Sequence, residues 1–297
     1  MKQSKKASEL ILNPDGSLYH LHLKPGQVAE KVFFVGDPMR VEKVSKYFDQ
    51  ISFQVKNREF FTITGRIGKT DLSVISTGIG TDNIDIVWNE LDAIFNFDLH
   101  SRTINDQLHS IKVLRLGTCG GLQEDIAVGS LVNSRYAIGA DSLMHFYDTQ
   151  EFTNLTFQKA LLDFQVDYLP SSPAFYASEA SQSFSELIGK GESPIKEGIT
   201  LTAAGFYGPQ GRNLGRVPLR SADLIDQLKK FHFAGLPVLN LEMETSGILG
   251  LGKGLGHQAA SLSAILANRS TGKFSDDPAG VVEKLIKTGI ELMLRWD

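Results

Sequence analysis

Two arginines in this chain stand where an arginine is physically awkward, and two glutamates stand close enough together to compete for one ligand. Arg40 follows Gly36-Asp37-Pro38-Met39, after the apolar run Val32–Val35. Asp37 suits a helix N-cap and Pro38 the position after it, which puts Arg40 in a first helical turn, where the macrodipole disfavours a cation. A bound phosphate or carboxylate would offset both charges; a solvated arginine is the alternative. Arg115 closes the apolar run Ile111–Leu116 just before Gly117-Thr118-Cys119-Gly120-Gly121. A charge in such a strand needs a partner. That partner is either an anion, cradled with the Thr118 hydroxyl and the glycine amides, or a buried carboxylate. Glu242-Met243-Glu244 carries two carboxylates too near in sequence to flank a reacting centre from opposite sides. One of them could clamp a vicinal diol such as that of ribose, or it could flank the helix expected from Thr245.

Other chemistries are excluded by what is missing from the pattern. Gly247 to Lys253 begins like a phosphate loop, but residue 254 is Gly where the hydroxyl should stand, so it reads as a helix with a glycine-rich stop. Gly78-Ile79-Gly80 lacks the third glycine of a dinucleotide fingerprint, having Asn83 instead. The seven histidines make no HExxH, and His20 and His22 have no clustered partners, so no metal is assigned. The single Cys119 allows no intrachain disulfide. Thirty basic against thirty-four acidic residues give no one-signed field for nucleic acid. Lys2, Lys5 and Lys6 are not followed by an apolar run of signal length, and nothing approaches the roughly 20 apolar residues of a membrane span. The expectation is a cytoplasmic protein that binds neither nucleic acid nor membrane.

The elements that must hold these residues repeat one pattern: a short apolar strand, a glycine turn, then a helix. Val32–Val35 leads to Val41, Val44 and Phe48 at helical spacing; Leu72–Ile75 leads through Ser76-Thr77-Gly78-Ile79-Gly80 to Ile84, Val87, Leu91, Ile94 and Phe95. Ile111–Leu116 ends in a third glycine turn, Ala259–Leu266 is a further buried strand, and Pro278 opens a helix through Val282, Leu285, Ile286, Ile290 and Met293. This alternation predicts one α/β domain with a largely parallel, buried sheet and its site at the carboxyl ends of the strands. The stretch 148–196 is the least periodic, rich in Ser and Phe, and could hold a helical excursion or a lid.

Taken in order, Tyr19-His20-Leu21, Val35 to Val44, Arg58-Glu59-Phe60, Ser76 to Gly80, Arg115 to Gly121, Phe206 to Arg212, Asn240 to Glu244 and Asn268-Arg269 resemble the uridine phosphorylases of the nucleoside phosphorylase family, which also contains bacterial purine nucleoside phosphorylases. Each piece is weak alone, and their order over most of the chain is specific. The resemblance implies a single-domain three-layer α/β/α sandwich with a mixed, mostly parallel twisted sheet. In it residues 1–30 form an arm toward a neighbouring subunit, and 148–196 is a less regular insertion.

It further implies that Gly36, Arg40, Arg115 and Thr118 bind inorganic phosphate, with Arg58 supplied by the neighbouring subunit. Met243 and Glu244 would hold the ribose and the neighbour's His20 its 5′-hydroxyl, while Phe206, Gln210 and Arg212 would bind the base. The unit would be a homodimer with shared active sites, assembled in similar bacterial enzymes into hexamers. The reaction implied is phosphorolysis of uridine to uracil and ribose 1-phosphate, in nucleoside salvage and catabolism. Arg115, Glu244 and Arg212 would be its catalytic residues, with no cofactor beyond phosphate as co-substrate. Removing Arg115 is expected to abolish turnover and to leave the fold largely intact.

In the purine branch of the family an aspartate after the late strand serves the purine ring; Asn268-Arg269-Ser270 stands there, which favours pyrimidines. Asn83 stands where similar bacterial enzymes often carry a serine that helps to bind an intersubunit potassium ion, which leaves that ion open, and Gly208-Pro209 reverses the usual order in the base loop. The alternatives are a purine nucleoside phosphorylase on the same frame, a nucleosidase, which would not need Arg40, Arg58 and Arg115, and a non-catalytic nucleoside-binding protein.

Overall fold

The computed structural model describes residues 4–168, 174–189, 195–221 and 223–297. In chain order its elements are β1 Lys31–Val35, α1 Pro38–Ser45, β2 Gln50–Asn57, β3 Phe60–Ile67, β4 Thr70–Ser76, α2 Thr81–Asn96, β5 Phe97–Asp98, β6 Thr103–Ile104, β7 Lys112–Gly121, β8 Leu131–Ala140, α3 Leu155–Tyr168, β9 Tyr176–Glu179, α4 Gln182–Gly189, β10 Lys196–Ala203, α5 Leu224–Leu228, β11 His232–Phe233, β12 Leu236–Glu242, α6 Thr245–Gly254, β13 Gln258–Asn268 and α7 Pro278–Arg295.

Strand β1 shows why the sheet lies inside. Its successive side chains face opposite sides, and both sides are apolar. Val32 and Phe34 pack with Ile84, Val87, Trp88 and Leu91 of α2 and with Ile248 and Leu249 of α6. Phe33 and Val35 pack with Val41 and Val44 of α1 and with Leu285, Ile286 and Ile290 of α7. A sheet covered by helices on both faces is the predicted sandwich. A third cluster joins Phe157 and Leu161 of α3 to Ile199, Leu201 and Val238 beneath β10 and β12.

The sheet runs β11-β12-β10-β8-β13-β7-β1-β4-β3-β2, with β9 beside β8, and β12 pairs in addition with β7. The strands β7, β13, β8, β10 and β12 therefore close a ring within the larger sheet. Strand β7 makes this possible by changing partners along one edge. Its residues Lys112–Arg115 pair in parallel with β1, whereas Gly120 and Gly121 pair antiparallel with Leu241 and Asn240 of β12. The opposite edge is filled throughout by β13. Residues 116–119 thus have one edge that no strand covers.

This corrects one sequence expectation. Gly117-Thr118-Cys119-Gly120-Gly121 is not a turn: β7 continues to Gly121, and the glycine amides pairing with β13 do not form a nest. Backbone groups enter the site here from an open strand edge instead. The helix boundaries follow the local signals closely. Asp37 caps α1 by accepting from the Met39 amide, with Pro38 in the first turn, and Gly247 to Lys253 lies inside α6.

The 148–196 stretch holds α3, β9 and α4 where it is described; residues 169–173 and 190–194 fall outside the described residues, as does Lys2. Its weak periodicity has a physical cause: α3 buries Phe157 and Leu161 while leaving Leu155, Leu162 and Val166 exposed. Apolar residues on opposite faces cancel the amphipathic signal.

Candidate active site

The uncovered edge of β7, the amino end of α1, the start of α6 and the loops 206–212 and 268–274 surround one cavity of about 830 Å³. It is lined by Gly36, Arg40, Arg115, Thr118, Phe206, Gln210, Arg212, Met243 and Glu244. These are nine of the eleven site residues expected from the sequence. The other two, His20 and Arg58, do not line it.

At the edge of β7, Arg40 reaches across from α1 and donates from Nη1 to the Leu116 carbonyl at 3.0 Å. Side-to-side alternation along a strand then places the Thr118 amide on this same open edge. Burial, reinforced by the nearby positive charge of Arg115, holds the Arg40 guanidinium below its usual range; Asp37 and Glu244 oppose the shift. Two guanidiniums that repel each other beside an open strand edge are an arrangement an anion would relieve.

Arg115 takes the second of its sequence alternatives, a buried carboxylate partner, while also lining the cavity. Its Nη2 lies 2.6 Å from Glu244 and 3.0 Å from Glu242, and its Nη1 donates to Ser263 at 3.1 Å. Burial works against the guanidinium charge, but Glu242 and Glu244 outweigh it and raise the pKa. The two carboxylates, alike in sequence, have different tasks. Glu242 accepts from the Thr202 hydroxyl and from the backbone amides of Glu244 and Thr245, so it caps α6 and fixes the start of the helix. Burial raises its pKa, the Glu244 charge adds to this, and Arg115 opposes it. Glu244 accepts the Gly80 amide at 2.9 Å as well as Arg115, and it lines the cavity. Glu242 borders the cavity too, but its oxygens are taken up by Thr202, two backbone amides and Arg115, so Glu244 is the less engaged member of the pair and the one better suited to meet a ligand.

Gly117 is what lets Arg115 fold inward. A β-carbon on Gly117 would stand 1.6 Å from Arg115 Nη1. Gly117→Ala should accordingly displace the guanidinium from Ser263 and the glutamates, lowering both melting temperature and activity; wild-type values for both would remove Gly117 from the construction of the site.

Cys119 also lines the cavity, and its Sγ lies 3.5 Å from the Ala264 carbonyl. Burial pushes its thiol up to about 12, against the pull of Arg115, so at neutral pH it is a thiol and no nucleophile.

The far wall is the loop 206–212. Gly208–Gln210 form a tight helical turn, and Gly211, at φ +67°, takes the left-handed conformation that returns the chain. The Arg212 amide thereby reaches the Tyr207 carbonyl at 2.8 Å. The Arg212 guanidinium lies over the Phe206 ring at 3.9 Å and donates to the Phe206 carbonyl and to Gln210 Oε1. Burial, then the charge of Arg269, holds Arg212 below its usual range.

Arg269 lines the cavity and donates to the Gln210 carbonyl at 3.0 Å. Nothing in the chain itself marks it beyond its place in Asn268-Arg269. The cavity residues Lys273 and Phe274 had no signal at all, because a short loop that folds back carries no periodicity. Asn268 is buried and wholly engaged: its Nδ2 donates to the carbonyls of Gln123 and Ile126, and its Oδ1 accepts from Ser270 and Thr271.

His20 and Arg58 lie near each other outside this lining. Asn57, beside Arg58 in the β2–β3 turn, donates to the His20 carbonyl at 2.7 Å, and the Arg58 guanidinium lies 5.4 Å from the centre of the Tyr19 ring. Arg58 has φ +54°, a conformation uncommon for a side chain of this size.

Among solved structures, a Trypanosoma brucei nucleoside phosphorylase described as showing uridine phosphorylase activity superposes with a TM-score of 0.87 at 29% identity, covering 96% of this chain and 99% of that one. A uridine phosphorylase from Thermococcus kodakarensis is 28% identical over 285 residues, 95% of this chain and 89% of the relative. A purine nucleoside phosphorylase of the DeoD type from Brevibacillus brevis is 26% identical over 278 residues, 93% of this chain and 98% of the relative. The family model of the phosphorylase superfamily matches residues 30–294, and the chain belongs to that superfamily, homologous to uridine and purine nucleoside phosphorylases alike.

Proposed function

We propose that the protein is a uridine phosphorylase, converting uridine and phosphate to uracil and ribose 1-phosphate. One observation carries the reading: a single cavity joins two pairs of guanidiniums, Arg40 with Arg115 at the open strand edge and Arg212 with Arg269 on the opposing loops. Phosphorolysis of a nucleoside needs two anion sites, one for the attacking phosphate and one for the departing base. Phosphate, held by Arg40, Arg115, Thr118 and the Gly36 turn, forms its bond to C1′ as the bond from C1′ to the base breaks. The electron pair leaves with the uracil ring, whose developing charge spreads to its carbonyl oxygens. Arg212 is placed to stabilise that charge, with Arg269 beside it. Glu244 and Met243 hold the ribose, on which positive charge grows in the transition state.

Asn268 supports the pyrimidine preference. Both ends of its amide are used inside the protein, so it supplies no acid to a purine ring nitrogen. Because His20 and Arg58 lie near each other and neither lines the cavity of its own subunit, the reading includes a homodimer in which each subunit lends this pair to the other's site.

Base release from uridine, thymidine and inosine, each with and without inorganic phosphate, tests the reading. Uracil is expected only when phosphate is present. Efficient inosine cleavage would place the protein on the purine branch, and release without phosphate would make it a hydrolase.

A further inference from the structure

His20 is held more firmly than a surface histidine needs to be. The turn that carries it is closed by its own backbone, with the Leu18 amide on the Leu23 carbonyl and the His22 amide on the Leu18 carbonyl, both at 3.0 Å. Leu18, Leu21 and Leu23 are buried beneath it. Glu90, from α2, then grips the turn through three groups. It accepts the His20 amide at 3.0 Å, the Leu21 amide at 2.8 Å and the imidazole Nδ1 at 2.6 Å. The edges of the Tyr19 and Phe60 rings confine the imidazole on its sides. Nε2 has no hydrogen-bond partner among the described residues.

A carboxylate only accepts, so in the neutral imidazole Nδ1 carries the hydrogen and Nε2 is left with a lone pair. We propose that Glu90 is a positioning residue that fixes this tautomer of His20, and that Nε2 therefore selects nucleosides whose 5′ group can donate a hydrogen bond. The proposal rests on the reading above that His20 enters the cavity of a second copy, and it adds the chemical class that copy accepts at the 5′ position. A free hydroxyl or an ammonium group qualifies; a bare methyl does not.

Two comparisons, made on the intact protein, separate this proposal from the reading beneath it. The first is His20→Ala, assayed on uridine and 5′-deoxyuridine. The wild-type preference for uridine, about tenfold for one well-made hydrogen bond, should fall to near unity. An unchanged preference would mean that His20 does not read the 5′ position, and would overturn the proposal together with that part of the functional reading.

The second is Glu90→Gln, assayed on uridine and 5′-amino-5′-deoxyuridine. The glutamine amide donates to Nδ1, reverses the tautomer and turns Nε2 into a donor. A hydroxyl can accept from it, but an ammonium cannot. The efficiency of the amino substrate relative to uridine should drop at least about tenfold. If Glu90 only anchored the turn, both substrates would suffer alike and the ratio would stay fixed, overturning the proposal while leaving the His20→Ala result intact. Glu90→Asp keeps an acceptor-only carboxylate and should preserve the ratio even if total activity falls. A fall in the ratio with aspartate would also overturn the tautomer argument.

Discussion

Arg115→Met should give a protein with no measurable phosphate-dependent base release and a melting temperature several degrees below wild type. The activity loss follows from removing one of the two cations at the open strand edge. The stability loss follows from the carboxylates that remain. Glu242 and Glu244 are both buried and both paired to Arg115 Nη2. Breaking a buried ion pair from one side costs about 3–5 kcal/mol, because the partner keeps its charge without compensation. Calorimetry and the base-release assay read the two effects separately. A variant that melts like wild type would show that the pair contributes nothing to the fold, and an active one would remove Arg115 from the reaction. To the expectation from sequence alone, lost turnover with the fold largely intact, the pairing with Glu242 and Glu244 adds a stability cost.

At the other end of the cavity, Arg212→Ala should lower kcat about 10²- to 10³-fold, as expected for loss of a fixed donor to developing negative charge. KM should change much less. Arg212→Lys should recover little: an ammonium cannot reproduce the flat guanidinium over the Phe206 ring or hold Gln210 at the same time. Steady-state kinetics on uridine decide the point. A rise in KM with kcat unchanged would mean that Arg212 binds the base equally in ground and transition states, and so takes no part in its departure.

The frame of the molecule was legible because its signals are local. An apolar strand, an Asp-Pro cap and an amphipathic helix each act over a few residues, and β1, α1, β4, α2 and α7 lie where such signals place them. The anion end could be suspected for the same reason, since a cation in a first helical turn and a charge in a buried strand are anomalies visible in the chain itself. What the sequence hid was pairing between distant segments. Whether Gly117–Gly121 turned or ran on depended on β12, more than a hundred residues away. The division of labour between Glu242 and Glu244 depended on Thr202 and Gly80. Arg269 became a site residue only because its loop folds back against Gln210. The grip of Glu90 on His20 joins a helix to a turn seventy residues earlier, and neither stretch carries a mark of the other.

The change of partners along β7 bears on how such a protein can evolve. A contact made by a backbone amide cannot be removed by replacing the residue that carries it, so the Thr118 amide at this open edge outlasts substitutions that would remove Arg40 or Arg115. The loops 206–212 and 268–274 make their contacts through side chains, and each of these is one codon from being lost or exchanged. On the function proposed above, selection on the loops retunes the base end while the strand edge that faces the anion keeps its backbone. In this architecture inherited chemistry is written in the strand register and acquired preference in the loops.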